Sequence, residues 1–207
     1  MQLGQINRGS KLGELIYNIC KLDENKIIVD IGTWNGLGTT KCIYDAIIDS
    51  SKENYEVFSI ESNEDMYNQA VLNIPKIDNF NLLLGRIIEL NELLNEDSLG
   101  SEYFNKIARF HLEKWLKEDI LNYKKIPNII DKLPNKIDVL ILDGGEFSSF
   151  AEFKKLESRS KYFILDDTNL MKNIEVAKIM KNNIDYEIIA EDENDRNGFL
   201  IAKNKKK

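Results

Sequence analysis

Short apolar runs of strand length alternate along most of the chain with longer segments whose apolar positions recur at helical spacing. The runs predict strands at residues 26–30, 55–60, 81–84, 137–142 and 162–165. Helical spacing predicts helices at residues 10–22, 39–48, 63–72, 148–157 and 173–182. This alternation is typical of a parallel sheet whose strands are joined by crossover helices.

The pattern changes at the end of the chain. Apolar runs at residues 186–190 and 199–202 flank a polar turn that contains Asn197-Gly198, a pair that favours β-hairpins. We therefore predict an α/β fold that is doubly wound and Rossmann-like, with a mostly parallel seven-stranded sheet and a C-terminal antiparallel hairpin. No linker-like or repeated segment divides residues 1–207, so we expect a single domain.

One connection is longer than the others. It spans about residues 89–134 and contains helical patterns at residues 101–116 and 120–130. Connections of this length often form lids or substrate loops. We therefore predict a helical insertion or lid, which carries the single histidine, His111.

Composition restricts the classes of function. The formal net charge of −7 argues against nucleic acid as a partner. No apolar run is long enough to cross a membrane, and the N-terminus lacks a secretory pattern. Cys20 and Cys42 lie in apolar helical patterns, so we expect both to be buried and reduced, as in a cytoplasmic protein. With one histidine and two cysteines, any metal site would use carboxylates.

A glycine-rich segment from Asp30 to Thr40 follows the first predicted strand and opens a helix. Its spacing fits neither a phosphate-binding loop nor a dinucleotide fingerprint. The pattern of Asp30, Gly32, Gly36 and Gly38 resembles the first motif of class I S-adenosylmethionine-dependent methyltransferases. The alternative is that these glycines only form a tight turn.

The resemblance implies roles for several residues. Asp30 would lie near the methionine amino group, and Gly32 and Gly36 would let the loop pass beneath the cofactor. Glu61, at the end of the second strand, would bind the ribose hydroxyls. The adenine would lie near Gly85 and Arg86, where the family often has an acidic or small residue instead of arginine.

Three acidic residues follow two strands that the resemblance places side by side. Asp143 follows the fourth strand, and Asp166 and Asp167 follow the fifth. The pattern resembles the catechol-type and sugar-modifying O-methyltransferases, in which acidic residues here hold magnesium. The resemblance implies that Asp143, also close to the cofactor, would bind Mg²⁺ together with Asp166 and Asp167. The alternative is that Asp166 or Asp167 caps the next helix.

The expected reaction is methyl transfer from S-adenosylmethionine to a hydroxyl of a small molecule, a sugar being one candidate acceptor. Asp143 would orient the acceptor through the ion, and Glu146 or His111 would be the base. Two alternatives stay open: a metal-independent N- or O-methyltransferase that uses Glu146 or His111, and a domain that binds the cofactor without catalysis. A homodimer is also left open.

Overall fold

The computed structural model describes residues 3–50, 53–94 and 109–207. Within these residues one sheet has seven strands in the order β3-β2-β1-β4-β5-β7-β6. The strands are β1 (Ile27–Ile31), β2 (Glu56–Glu61), β3 (Phe80–Leu84), β4 (Ile137–Leu142), β5 (Ser160–Asp166), β6 (Tyr186–Asp192) and β7 (Phe199–Asn204). The first five are parallel, and β7 is antiparallel to both β5 and β6. The predicted mostly parallel sheet with a C-terminal hairpin is confirmed.

Apart from the helix between β3 and β4, the helices lie where the periodicity predicts. They are α1 (Lys11–Lys21), α2 (Thr39–Ser50), α3 (Glu64–Asn73), α4 (Arg109–Lys125), α5 (Ser149–Leu156) and α6 (Ile174–Asn182). Local capping explains two of their starts: Ser10 Oγ accepts from the Gly13 N–H before α1, and Asn63 Oδ1 accepts from the Asp65 N–H before α3. None of the described helices is both long and apolar enough to span a membrane.

The connection between β3 and β4 differs from the prediction. The expected break between residues 116 and 120 is wrong, because α4 continues through Lys117, Glu118 and Asp119, all of which are compatible with a helix. Residues 126–130 are not an α-helix either, since Pro127 follows α4 and cannot continue it. Its carbonyl instead accepts from the Arg86 N–H at 3.0 Å. Residues 101–108 of the predicted helix lie outside the described residues.

Both faces of the sheet are covered, which is why its central strands are almost continuously apolar. Ile28, Val139 and Ile164 belong to a buried cluster that includes the apolar faces of α1 and α2. Their neighbours along the same strands pack on the other face, with residues of α4, α5 and α6. The packing leaves the loops that follow the parallel strands along one edge of the sheet, where ligands of such folds bind.

Candidate functional site

The strand register brings together residues that are distant in sequence. Ile31 of β1 pairs with Leu142 of β4, so Gly32 and Asp143 follow side by side. Gly32 has a φ of +102°, and a Cβ there would lie 2.2 Å from the Asp143 carbonyl oxygen. This close approach requires glycine. Asp166, at the end of β5, completes a row of residues at the carboxyl ends of three adjacent strands.

Two cavities meet at this edge. The larger, about 640 Å³, lies over the ends of β1, β2 and β3 and beneath the second half of α4. The smaller, about 310 Å³, lies over the ends of β1 and β5 and against the N-terminal segment. Gly32, Trp34 and Asp143 line both. The larger volume is typical of cofactor and small-molecule sites.

Glu61 links the glycine-rich loop to the larger cavity. One carboxylate oxygen accepts from the Trp34 N–H at 2.6 Å, and the other accepts from the Asn63 N–H at 2.8 Å. Burial raises its pKa despite these backbone hydrogen bonds. Glu61 lines the cavity, as the predicted ribose contact requires, and its carboxylate has further acceptor sites for a ligand.

Asp30 is placed differently from the role that the resemblance implied. It is fully buried, and its Oδ2 accepts hydrogen bonds from Thr40 Oγ1 at 2.7 Å and Ser59 Oγ at 2.8 Å. Burial raises its pKa to about 7. Asp30 lines neither cavity, so its observed contacts tie the start of α2 to β2 beneath the loop.

Both residues of the predicted adenine region line the larger cavity. A Cβ at Gly85 would lie 2.8 Å from Ile129. The Arg86 guanidinium donates to the Tyr123 carbonyl at 3.2 Å and to Glu89 Oε2 at 2.8 Å. Arg86 therefore fastens the end of α4 to the loop after β3.

Three further carboxyl groups, which sequence reasoning missed, line the larger cavity: Glu118 and Asp119 of α4 and Glu152 of α5. Burial raises the pKa of Asp119 and of Glu152 to about 7. No described residue donates a hydrogen bond to the buried Oε2 of Glu152. With Glu61, they give the cavity hydrogen-bond acceptors for the amino and hydroxyl groups of S-adenosylmethionine and negative charge that matches its sulfonium.

The three predicted metal ligands converge. One oxygen each from Asp143, Asp166 and Asp167 lies within 4.8 Å of the others. The Lys172 ammonium, however, is 2.6 Å from Asp143 Oδ1 and 3.3 Å from Asp167 Oδ2. Arg196 lies 3.2 Å from Asp166 Oδ2 and 3.7 Å from Asp167 Oδ1. A divalent ion would have to displace these cations, so the residues as arranged do not fit one.

Lys172 was missed because nothing in the local sequence links it to the acidic residues. Burial lowers the pKa of Lys172, but the neighbouring carboxylates raise it by more, so the side chain stays charged. The helix-capping alternative is wrong, because the N-cap of α6 is Asn173 and not Asp166 or Asp167.

The three candidate catalytic residues do not all line the cavities. Asp143 lines both cavities, whereas Glu146 lines neither and its Oε2 accepts from the Lys172 N–H at 3.1 Å. Burial raises the Glu146 pKa. His111 is exposed on α4, with its ring stacked 6.0 Å from that of Trp115, and it also lines neither cavity. The structure therefore brings only Asp143 of the three to these cavities.

Comparison of the sequence with known protein families gives no match, and neither does comparison with curated proteins. Solved structures do resemble the chain. An O-methyltransferase from Bacillus cereus in complex with SAH is 12% identical, with a TM-score of 0.59, and the match covers 98% of this chain and 84% of that one. A methyltransferase from Geobacter sulfurreducens is 14% identical, with a TM-score of 0.56 and coverages of 93% and 78%.

A SAH-bound methyltransferase from Podospora anserina is 11% identical, with a TM-score of 0.57, and the match covers 93% of this chain and 77% of that one. These identities are low, so the likeness concerns the fold. The strand order with its terminal hairpin and the likeness to these solved structures indicate the same fold. The chain has the fold of the class I S-adenosylmethionine-dependent methyltransferases.

Proposed function

We propose that the protein transfers a methyl group from S-adenosylmethionine to a hydroxyl of a small molecule. The observation that carries the proposal is the meeting of two cavities at Gly32 and Asp143. One cavity has the size and carboxyl groups for the cofactor, and the other opens beside it for an acceptor. Transfer requires the donor and acceptor atoms to be held in contact and in line, which two adjoining cavities allow.

The larger cavity would hold the cofactor, which when bound supplies an electrophilic methyl group on a sulfonium. Glu61 would accept hydrogen bonds from the ribose hydroxyls. Gly32 keeps the loop close to the end of β4, whereas Gly36, which lines neither cavity, lets the loop pack against α3. Asp30 supports the loop from below. The segment proposed as a lid, about residues 89–134, contains α4, and most residues of α4 between Glu118 and Lys125 line the cavity.

The smaller cavity would hold the acceptor. A sugar is one candidate acceptor that fits the volume of this cavity. Asp143 faces both cavities and would accept the hydroxyl proton as the new bond forms. The metal-independent reaction fits this site better than the magnesium-assisted one, because Lys172 already pairs with Asp143 at 2.6 Å. We also propose a cytoplasmic setting, since Cys20 and Cys42 are both buried and neither forms a disulfide within the described residues.

Calorimetric titration with S-adenosylhomocysteine tests the cofactor site. We expect a micromolar dissociation constant, about −8 kcal/mol, for the wild type. Glu61→Gln should weaken it about 10-fold to 100-fold, because a charged hydrogen-bond acceptor is lost. Glu64→Gln, an exposed change on α3, is the matched control. Since Glu61 also holds the loop, the melting temperature of each variant must be measured. Absence of binding by the wild type would overturn the proposal.

Turnover separates an enzyme from a silent cofactor-binding domain. Hydroxylated acceptors are screened by following the formation of S-adenosylhomocysteine. With a productive acceptor, Asp143→Asn should lower turnover about 100-fold, the usual contribution of a general base, while binding of S-adenosylhomocysteine is retained. Binding without turnover across sugars, phenols and other alcohols would favour the silent domain.

A further inference from the structure

Lys172 is a buried cation within an acidic cluster that otherwise resembles a metal site. Its side chain is only 6% exposed, and its ammonium contacts Asp143 and Asp167. The remaining oxygens of these two carboxylates are also used: Asp143 Oδ2 accepts from Thr39 Oγ1 at 2.8 Å, and Asp167 Oδ1 accepts from Asn197 Nδ2 at 2.9 Å. The cluster is therefore hydrogen-bonded without any added ion.

The lysine is held in place by its backbone. The Lys172 N–H donates to Glu146 Oε2 at 3.1 Å. The next residue, Asn173, donates through Nδ2 to the Leu142 carbonyl at 2.9 Å and to the Asp166 carbonyl at 2.7 Å. These bonds fasten the loop after β5 to the ends of β4 and β5. The ammonium consequently has little freedom to leave the cluster.

Lys172 and Arg196 compensate most of the negative charge of the acidic cluster. Asp143, Asp166 and Asp167 would carry three negative charges, and Lys172 and Arg196 supply two positive charges within 4 Å of them. A divalent ion needs direct bonds to carboxylate oxygens, at about 2.0–2.6 Å for Mg²⁺ or Ca²⁺. Such an ion would lie next to the ammonium in a buried site, where repulsion between cations is poorly screened.

We propose that Lys172 is a built-in counter-ion that takes the place of a divalent metal at this cluster. The wild type then binds no divalent ion there, and removal of the Lys172 charge opens a carboxylate site for one. The corollary that methyl transfer needs no metal rests on the proposed function. Cation binding at the cluster does not depend on the proposed function, so either proposal can fail without the other.

Titration with Mn²⁺, followed by electron paramagnetic resonance of the free ion, tests the proposal. Lys172→Met keeps the length of the side chain and removes its charge. We expect it to bind one Mn²⁺ at least about 100-fold more tightly than the wild type, within the range over which ligand charge tunes such sites. Mn²⁺ should also raise the melting temperature of this variant and leave that of the wild type unchanged.

Lys181→Met is the matched control. Lys181 pairs with Glu191 at 2.9 Å and Glu193 at 3.0 Å, so this change also frees two carboxylates, but on the surface. It should gain no Mn²⁺ site. The double variant Lys172→Met, Asp143→Asn should lose the site gained by Lys172→Met, because one ligand is removed.

Binding of one Mn²⁺ by the wild type that Asp143→Asn abolishes would overturn the proposal, and this result needs no Lys172 variant. A folded Lys172→Met protein that gains no Mn²⁺ affinity would overturn it as well. If Lys172→Met does not fold even with Mn²⁺, Lys172→Gln replaces it in the same titration. Titration with S-adenosylhomocysteine reports separately on the cofactor site.

Discussion

At the scale of single residues, Trp34 has an unusual position. It follows Thr33 in the glycine-rich loop with a φ of +49°, a region that non-glycine residues rarely adopt. Its N–H donates a hydrogen bond to Glu61 Oε2. Trp34 lines both cavities, and 36% of it is exposed. Backbone strain of this kind, about 1–3 kcal/mol, persists where the surrounding structure enforces it. Trp34 is therefore placed to report on occupation of the larger cavity.

Tryptophan fluorescence measures this directly, since the chain has two tryptophans. In a Trp115→Phe background, S-adenosylhomocysteine should change the emission of Trp34, because a ligand displaces water beside the indole. The matched variant Trp34→Phe retains Trp115, which lies on α4 and lines neither cavity. Its emission should not respond. A response confined to Trp115 would contradict the placement of the cofactor in the larger cavity.

At the scale of elements, the loop between β1 and α2 packs against α3. Gly36 has a φ of +81°, and a Cβ there would lie 2.9 Å from Ile74 Cγ1 and 3.2 Å from the Ala70 Cα. Gly38 is different: its Cβ would meet Ile6 O at 3.5 Å, an ordinary contact. The two glycines of one motif thus have different structural requirements.

We expect Gly36→Ala to destabilise the protein by about 1–3 kcal/mol, because it combines a left-handed backbone with overpacking. Gly38→Ala is the matched control and should change stability by less than about 0.5 kcal/mol. Urea unfolding followed by circular dichroism gives both values. Equal effects of the two substitutions would show that the contact between the loop and α3 is not what requires glycine.

At the scale of the whole molecule, buried carboxyl groups couple stability to pH. Burial raises the pKa of Asp30, Asp119 and Glu152 to about 7 each. In the unfolded chain these groups titrate near pH 4, so between about pH 4 and pH 7 the folded state holds more protons. The contribution of these groups to the free energy of unfolding is therefore fully present below about pH 4 and is lost as the pH rises through about 7.

Glu152→Gln should reduce this dependence, because it removes a buried carboxyl whose Oε2 has no donor among the described residues. We expect the variant to be about 1–3 kcal/mol more stable than the wild type at about pH 8, with a much smaller difference at about pH 4. Unfolding at both pH values measures this, and Glu56→Gln, an exposed change, is the control. Equal stabilisation at both pH values would point to packing instead of ionisation.

Much of the fold could be predicted because its signals are local. The start of α1 depends on Ser10 and on residues within one turn of it. The hairpin depends on a short turn, although the hydrogen bond from the Gly198 N–H to the Asp195 carbonyl puts Gly198 at the last turn position. The site was predicted in part for the same reason. Glu61 and Asp143 come directly at or after strand ends, which parallel strands bring to one edge.

The succession of strands and helices, the glycine-rich loop and the edge of the sheet where acidic residues gather could all be predicted from the amino-acid sequence, because periodicity and turn chemistry act between near neighbours in the chain. What neutralises those acids and what lines the cavity became clear only from the folded structure. Lys172 pairs with Asp143 across 29 residues, and Asp119 reaches the cavity because α4 continues where a break was expected. Charge pairing and burial depend on distances in space, which no local pattern encodes.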